Sequence, residues 1–219
     1  MSYLSRFIRI NWALGGYLCW LGLVRLRLLH PEITPARRFV GMLEGLGTTF
    51  IKLGQGLSLR HDLLPDDYIE TLQALQDRVV PFDGKAAALE IERGLGAPIR
   101  ELFSEFDEHA LAAASVAQVH RARLHDGREV VAKVRRPGIK AQVARDMRLL
   151  KLVVRTFVWL IPSLGRYRPL DIIDEIDAGL RKEMDFRREA RNVKRFAQMF
   201  RGSETIYVPP VVENMYTEA

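Results

Sequence analysis

The chain has 219 residues, a formal charge of +6 and a single cysteine, Cys19. That length holds one substantial domain or two small ones, the 48% apolar content is enough for a packed core, and a lone cysteine excludes an internal disulfide. The five histidines, at 30, 61, 109, 120 and 125, lack the spacing with cysteines or carboxylates that a structural zinc ion needs.

The basic excess is local. Residues 1–38 carry Arg6, Arg9, Arg25, Arg27, Arg37 and Arg38 against Glu32 alone, so the remainder is close to neutral. Within residues 1–34, Arg9 and Arg25 bound an apolar run, Trp12 to Val24. Cations beside an apolar run fit an anionic membrane surface better than nucleic acid, which is not expected as a partner. The run is shorter than the ~20 residues a transmembrane helix needs, and it holds Gly15, Gly16 and Gly22. No small-x-small cleavage site follows, as a signal peptide would require. Two readings stand: a peripheral membrane anchor, or a buried or disordered N-terminal helix.

Pro31 and Pro35 mark a break. A helical stretch, 35–100, is expected next. Its first helix runs from about Ala36 to Arg60 and contains Gly41, Gly45, Gly47, Gly54 and Gly56. Glycine costs helix stability, so this density implies close packing or a kink. A second helix, about Asp66 to Gln76, opens on two acids, as the helix dipole favours. A third, Gly84 to Leu95, is stopped by Gly96 and Pro98.

A strand-rich segment follows. Val116, Gln118, His120 and Ala122 alternate with Ala117, Val119, Arg121 and Arg123, which is the strand period. His125-Asp126-Gly127 reads as a hairpin turn into the strand that carries Lys133. Long helices are expected at about Lys140 to Leu160 and Asp171 to Phe200. Ile206 to Val212 reads as a last short strand, interrupted by Pro209-Pro210.

Few of these residues bear chemistry on their own. Lys133 sits among Val130, Val131, Ala132 and Val134; an ammonium among apolar groups is costly unless it meets an anion, and the alternative is an edge-strand lysine in water. The small residues Ala112-Ala113-Ala114-Ser115 read as a loop whose backbone N–H groups can cover phosphates, or as a loop packed on a neighbour. Lys52 and Gln55 share a helix face, with Gly54 between them; the alternative is a face turned to water. Glu183 and Asp185 do not share a helix face, yet both can approach one cation where a helix kinks or ends. Glu189, among Arg187, Arg188 and Arg191, has the plain reading of a surface charge.

Taken in order, these stretches resemble the UbiB atypical kinases, also called aarF-domain-containing kinases. Phe50-Ile51-Lys52-Leu53-Gly54-Gln55 matches that family's K-x-G-Q motif, followed by Leu59 to Pro65 and by Leu75-Gln76-Asp77-Arg78-Val79. Alanines at 112–114 stand where protein kinases have glycines. Glu183-Met184-Asp185, continuing to Asn192, matches the E-x-D motif. The likeness runs from about Pro35 to the last residue. One departure is Ala110-Leu111, where the family usually has a proline before the loop.

The resemblance implies an α+β fold: a helical N-terminal extension, then an incomplete protein-kinase-like N-lobe over 101–219, an antiparallel sheet with a long αC-like helix, and no C-lobe. It implies ATP binding by the 112–115 loop and by Lys133, with Glu189 as the partner of Lys133. It also implies that the K-x-G-Q helix folds over the nucleotide pocket, where Lys52 meets Glu183 and Asp185 in the place of a protein substrate. The activity implied is an ATPase or small-molecule kinase that supports ubiquinone biosynthesis. That places it in the cytoplasm, peripheral on the inner face of the cell membrane, with nucleotide and an anionic membrane or isoprenoid lipid as partners. No protein partner is indicated.

Kinase chemistry also needs a catalytic-loop aspartate and asparagine and a D-F-G aspartate. None is among these 219 residues. No catalytic residue and no ligand for Mg2+ is therefore assigned, and magnesium is expected to arrive with the nucleotide. The chain is expected to span the extension and most of an N-lobe, with a fifth strand falling beyond Ala219. An inactive nucleotide-binding module and a membrane-associated scaffold remain as alternatives.

Overall fold

The computed structural model describes residues 3–75 and 80–217. In chain order the first elements are α1 (Tyr3–Arg25), α2 (Pro35–Leu46), α3 (Thr48–Leu57), α4 (Asp66–Gln73), α5 (Gly84–Leu95) and α6 (Ile99–Leu102). Then come β1 (Glu105–Ala113), β2 (Ala117–Arg123), β3 (Glu129–Arg135), α7 (Ile139–Leu160), α8 (Pro169–Glu183) and α9 (Phe186–Met199). These elements form two compact units, each built from two stretches of chain: 3–75 with 140–178, and 80–139 with 179–217.

The first unit is helical. Thr34 caps α2 by accepting the Arg37 N–H, and Pro35 presets the first turn. The single helix expected over Ala36 to Arg60 is in fact two. Gly47 has φ +93°, a region open to glycine and strained for other residues, and α3 restarts beyond it. Phe50, Leu43, Ile69 and Leu72 are fully buried where α2, α3 and α4 meet. At Gly54 a Cβ would lie 2.6 Å from the Leu75 side chain and 2.9 Å from that of Leu43. The glycine of the K-x-G-Q motif is thus where α3 lies flush on its neighbours.

The helix α1 corrects the expectation of a segment too short to cross a membrane. It has 23 residues, and by length and composition alone it is long and apolar enough to do so. Its Arg6, Ile10 and Tyr17 are buried. Arg6 donates to both carboxylate oxygens of Asp146 on α7 at 2.7 Å, and Tyr17 and Tyr68 share a 2.6 Å hydroxyl bond. Leu4, Ile8 and Trp12 of the same helix are exposed.

The second unit is built on an antiparallel sheet in the order β1-β2-β3. The turn expected at 125–127 is present: Gly127 donates to the Leu124 carbonyl and Leu124 to that of Arg128. Phe103, Ala122 and Leu124 form the core, with Ile91, Val130, Val212 and Met215 packed against it. The strand expected at Ile206 to Val212 does not form. Pro209 and Pro210 lack the N–H groups a ladder needs, and the segment instead packs Val212 against the core. The long helix expected from Asp171 to Phe200 breaks at Met184-Asp185. Asp185 adopts an extended backbone and its carboxylate accepts the Arg188 N–H at 3.1 Å. Aspartate is among the strongest N-caps, so it starts a new helix, α9.

Candidate functional site

In the sheet unit, Lys133 on β3 and Glu189 on α9 meet. The ammonium donates to both carboxylate oxygens at 2.8 Å and lies 5.2 Å from the centre of the Phe186 ring. Both side chains are nearly half exposed, at 42% and 47%. The burial cost expected for a lysine in this strand is therefore absent, because β3 exposes Val131 and Lys133 while it buries Val134. An exposed pair contributes only about 0–1 kcal/mol, so folding alone does not demand these two residues. Leu111, Val119, Val131, Lys133, Phe186 and Glu189 all line one open groove of about 1770 Å³.

The alanine loop is tighter than its sequence suggests. Ala112 and Ala113 belong to β1, paired with Val119 and Gln118. The Ala114 N–H is taken by the Ala117 carbonyl at 2.8 Å. Ser115 and Val116 form the tip, and of the stretch Ala112 to Ser115 only Ser115 stands there. The Ser115 hydroxyl is buried and has no hydrogen-bond partner among the described residues.

Two residues near the site were not singled out by sequence. Gln118 and His120 are buried on the core face of β2. The Gln118 amide accepts the Phe82 N–H at 3.0 Å and donates to the Phe82 carbonyl at 3.1 Å, which fixes its orientation. Its NH2 group also lies 2.8 Å from Nε2 of His120. That nitrogen therefore accepts, and Nδ1–H donates to the Asp107 carbonyl at 2.8 Å; His120 is the neutral Nδ1–H tautomer. Arg136 adds a bond to the Val80 carbonyl at 3.0 Å and a stacking contact with Phe82; burial holds its guanidinium below the ordinary value. The available signal was two polar residues on the same strand parity as Val116 and Ala122, since buried polar groups are bonded to something.

The remaining motif residues lie as follows. Lys52, Gly54 and Gln55 are on α3 in the helical unit, where Gln55 donates to the Leu75 carbonyl at 3.3 Å. Lys52 is half-buried. Glu183 and Asp185 belong to the sheet unit. Asp185 caps α9, and Glu183 is the last residue of α8, an end that the helix dipole makes unfavourable for an acid. Gln76 to Val79 lie outside the described residues. Among the described residues, no three His, Cys, Asp or Glu side chains gather as a metal site.

A three-stranded antiparallel sheet, a lysine on its third strand, and a helix glutamate bonded to that lysine are the start of a kinase-like N-lobe. Residues 74–219 match the ABC1 atypical kinase-like domain, and the chain belongs to that family. It is similar to proteins named "Probable protein kinase UbiB". The one from Aeromonas salmonicida is 43% identical over 90% of this chain and 36% of its own length. The one from Tolumonas auensis is 45% identical over 89% and 36%. That from Pseudomonas putida (strain GB-1) is 44% identical over 86% and 37%. The chain thus spans little more than a third of these relatives. The solved structure of Mycobacterium tuberculosis Rv3197 with erythromycin is 29% identical, with TM-score 0.49, covering 75% of this chain and 41% of that one.

Proposed function

We propose that this chain supplies the lysine–glutamate half of an ATP site in an atypical kinase or ATPase of the UbiB type, one that supports ubiquinone biosynthesis at the inner face of the cell membrane. The observation that carries this reading is the pair of 2.8 Å bonds between Lys133 and Glu189 on an open groove. Glu189 holds the ammonium in place, and Lys133 turns a remaining N–H toward the α/β-phosphates. Leu111 and Val131, both exposed, offer apolar surface to a purine ring. The unpartnered Ser115 hydroxyl suits a phosphate oxygen at the loop tip. ATP supplies the phosphoryl group to be transferred; magnesium comes with it. Pairing of Lys52 with Glu183 and Asp185 rests on the family likeness alone.

Thermal unfolding with and without millimolar Mg-ATP tests this. A site filled tenfold above its Kd stabilises by about 1.4 kcal/mol, and the wild-type chain should show that upward shift. Lys133→Met and Glu189→Gln should abolish it. Absence of any shift in the wild type, or an undiminished shift in Lys133→Met, would overturn the proposal. A second reading, a membrane-associated scaffold without nucleotide, is favoured by the exposed apolar residues of α1 and expects no shift in any variant.

A further inference from the structure

In the helical unit several cations are neutralised. Arg6 pairs with Asp146, Arg60 with Asp62, Lys151 with Asp174 and Asp177, and Arg168 with Asp171. Arg9, Arg37 and Arg38 have no carboxylate partner among the described residues, and all three line one open groove of about 520 Å³ between α1 and α2. No acidic residue lines that groove. Arg9 donates to the Gly45 carbonyl, and the Arg38 guanidinium lies 4.6 Å from the centre of the Trp20 ring. These contacts position two of the charges without cancelling them.

The rest of the groove is apolar or bare backbone. Trp12 and Ile33 line it and are 79% and 46% exposed. Gly41 and Gly45 also line it, and a Cβ at either would meet nothing within 4 Å. Their glycines therefore leave space open and serve no close packing. Leu4 and Ile8 extend the exposed apolar surface along α1.

We propose that this groove binds the phosphate headgroup and the first methylenes of an anionic phospholipid. The proposal rests on the membrane reading above and narrows it to one site. Guanidinium forks match phosphate oxygens in pairs. Tryptophan beside them suits the membrane–water boundary. An acidic protein would leave Trp12 and Ile33 unexplained, and a purely apolar ligand would not call for three unpaired arginines. Headgroup in the arginines and chain along Trp12 satisfies both.

Flotation of the 219-residue chain with vesicles tests it, using phosphatidylcholine alone and phosphatidylcholine doped with phosphatidylglycerol, at physiological salt. The wild type should float with the anionic vesicles only. Gly41→Leu and, separately, Gly45→Leu keep every charge, favour helix and fill the groove; each should weaken binding several-fold with an unchanged circular dichroism spectrum. Arg9→Gln/Arg37→Gln/Arg38→Gln should weaken it by about fivefold per arginine, roughly 100-fold in all. The charge-matched Arg188→Gln/Arg195→Gln/Arg201→Gln control should bind like wild type. If the wild type fails to float with anionic vesicles, the membrane reading falls and the groove with it. If it floats but both leucine variants bind equally well, or the control loses as much as the groove variant, diffuse charge is responsible and only the groove is refuted. Equal flotation with neutral vesicles also refutes it, in favour of hydrophobic insertion.

Discussion

Gln118 and Phe82 bond each other twice: the side-chain amide of Gln118 accepts the Phe82 N–H and donates to the Phe82 carbonyl. A buried side chain thus takes the part of a neighbouring strand for a segment that has none. Gln118→Leu should strand both backbone groups and destabilise by about 1–3 kcal/mol. Hydrogen exchange at the Phe82 amide should rise with it. A protected Phe82 amide in the variant would mean that the segment is held by other contacts.

Gly84 opens α5 against β1, and a Cβ there would come within 2.1 Å of the Glu108 carbonyl oxygen. Backbone cannot yield as a flexible side-chain end can, so Gly84→Ala should cost about 1–3 kcal/mol or more. Gly41→Ala, where nothing lies within 4 Å, should instead be neutral or gain up to about 1 kcal/mol from helix propensity. Urea denaturation of both variants gives the comparison, and equal midpoints would contradict it.

Arg6 and Asp146 form a pair whose side chains are 10% and 1% exposed. Arg6→Ala leaves a buried carboxylate without its cation and should destabilise by about 3–5 kcal/mol. Arg6→Met combined with Asp146→Leu should restore most of that loss, because neither charge then needs a partner. A double variant as unstable as the single would show that the shape of the pair matters more than its charge.

Lys133 presents the opposite case. Its partner is close, but both groups are exposed, so Lys133→Met should change unfolding stability by less than about 1 kcal/mol. Under the proposed function the same change removes the nucleotide response. A large loss of stability without nucleotide would recast the pair as structural.

At the hairpin, the Arg128 N–H and then its guanidinium hold the Asp126 carboxyl below the usual carboxylate value. A lowered folded value gives stability that is present above the unfolded pKa and lost as pH falls through the folded one. Stability should therefore decline below about pH 4, and Asp126→Asn should flatten that limb. An acid limb unchanged in the variant would assign it to other carboxylates, such as Asp107, which the His109 N–H also holds low.

Much of this protein was legible along the chain. The 116–123 alternation, the 125–127 turn, the stop at Gly96 and the family motifs all act over a few residues, where propensity, capping and periodicity are local forces. The expected partners Lys133 and Glu189 were legible only through the family likeness, since the contact spans 56 residues. Tertiary structure decided the rest. It showed that β3 turns Lys133 outward, that Pro209 and Pro210 leave a packed segment in place of a strand, and that Asp185 spends its carboxylate on a helix cap. It also joined residues 140–178 to the N-terminal helices and left Arg9, Arg37 and Arg38 around one groove. Sequence cannot report such outcomes, because which face of an element is buried depends on what the distant chain brings against it.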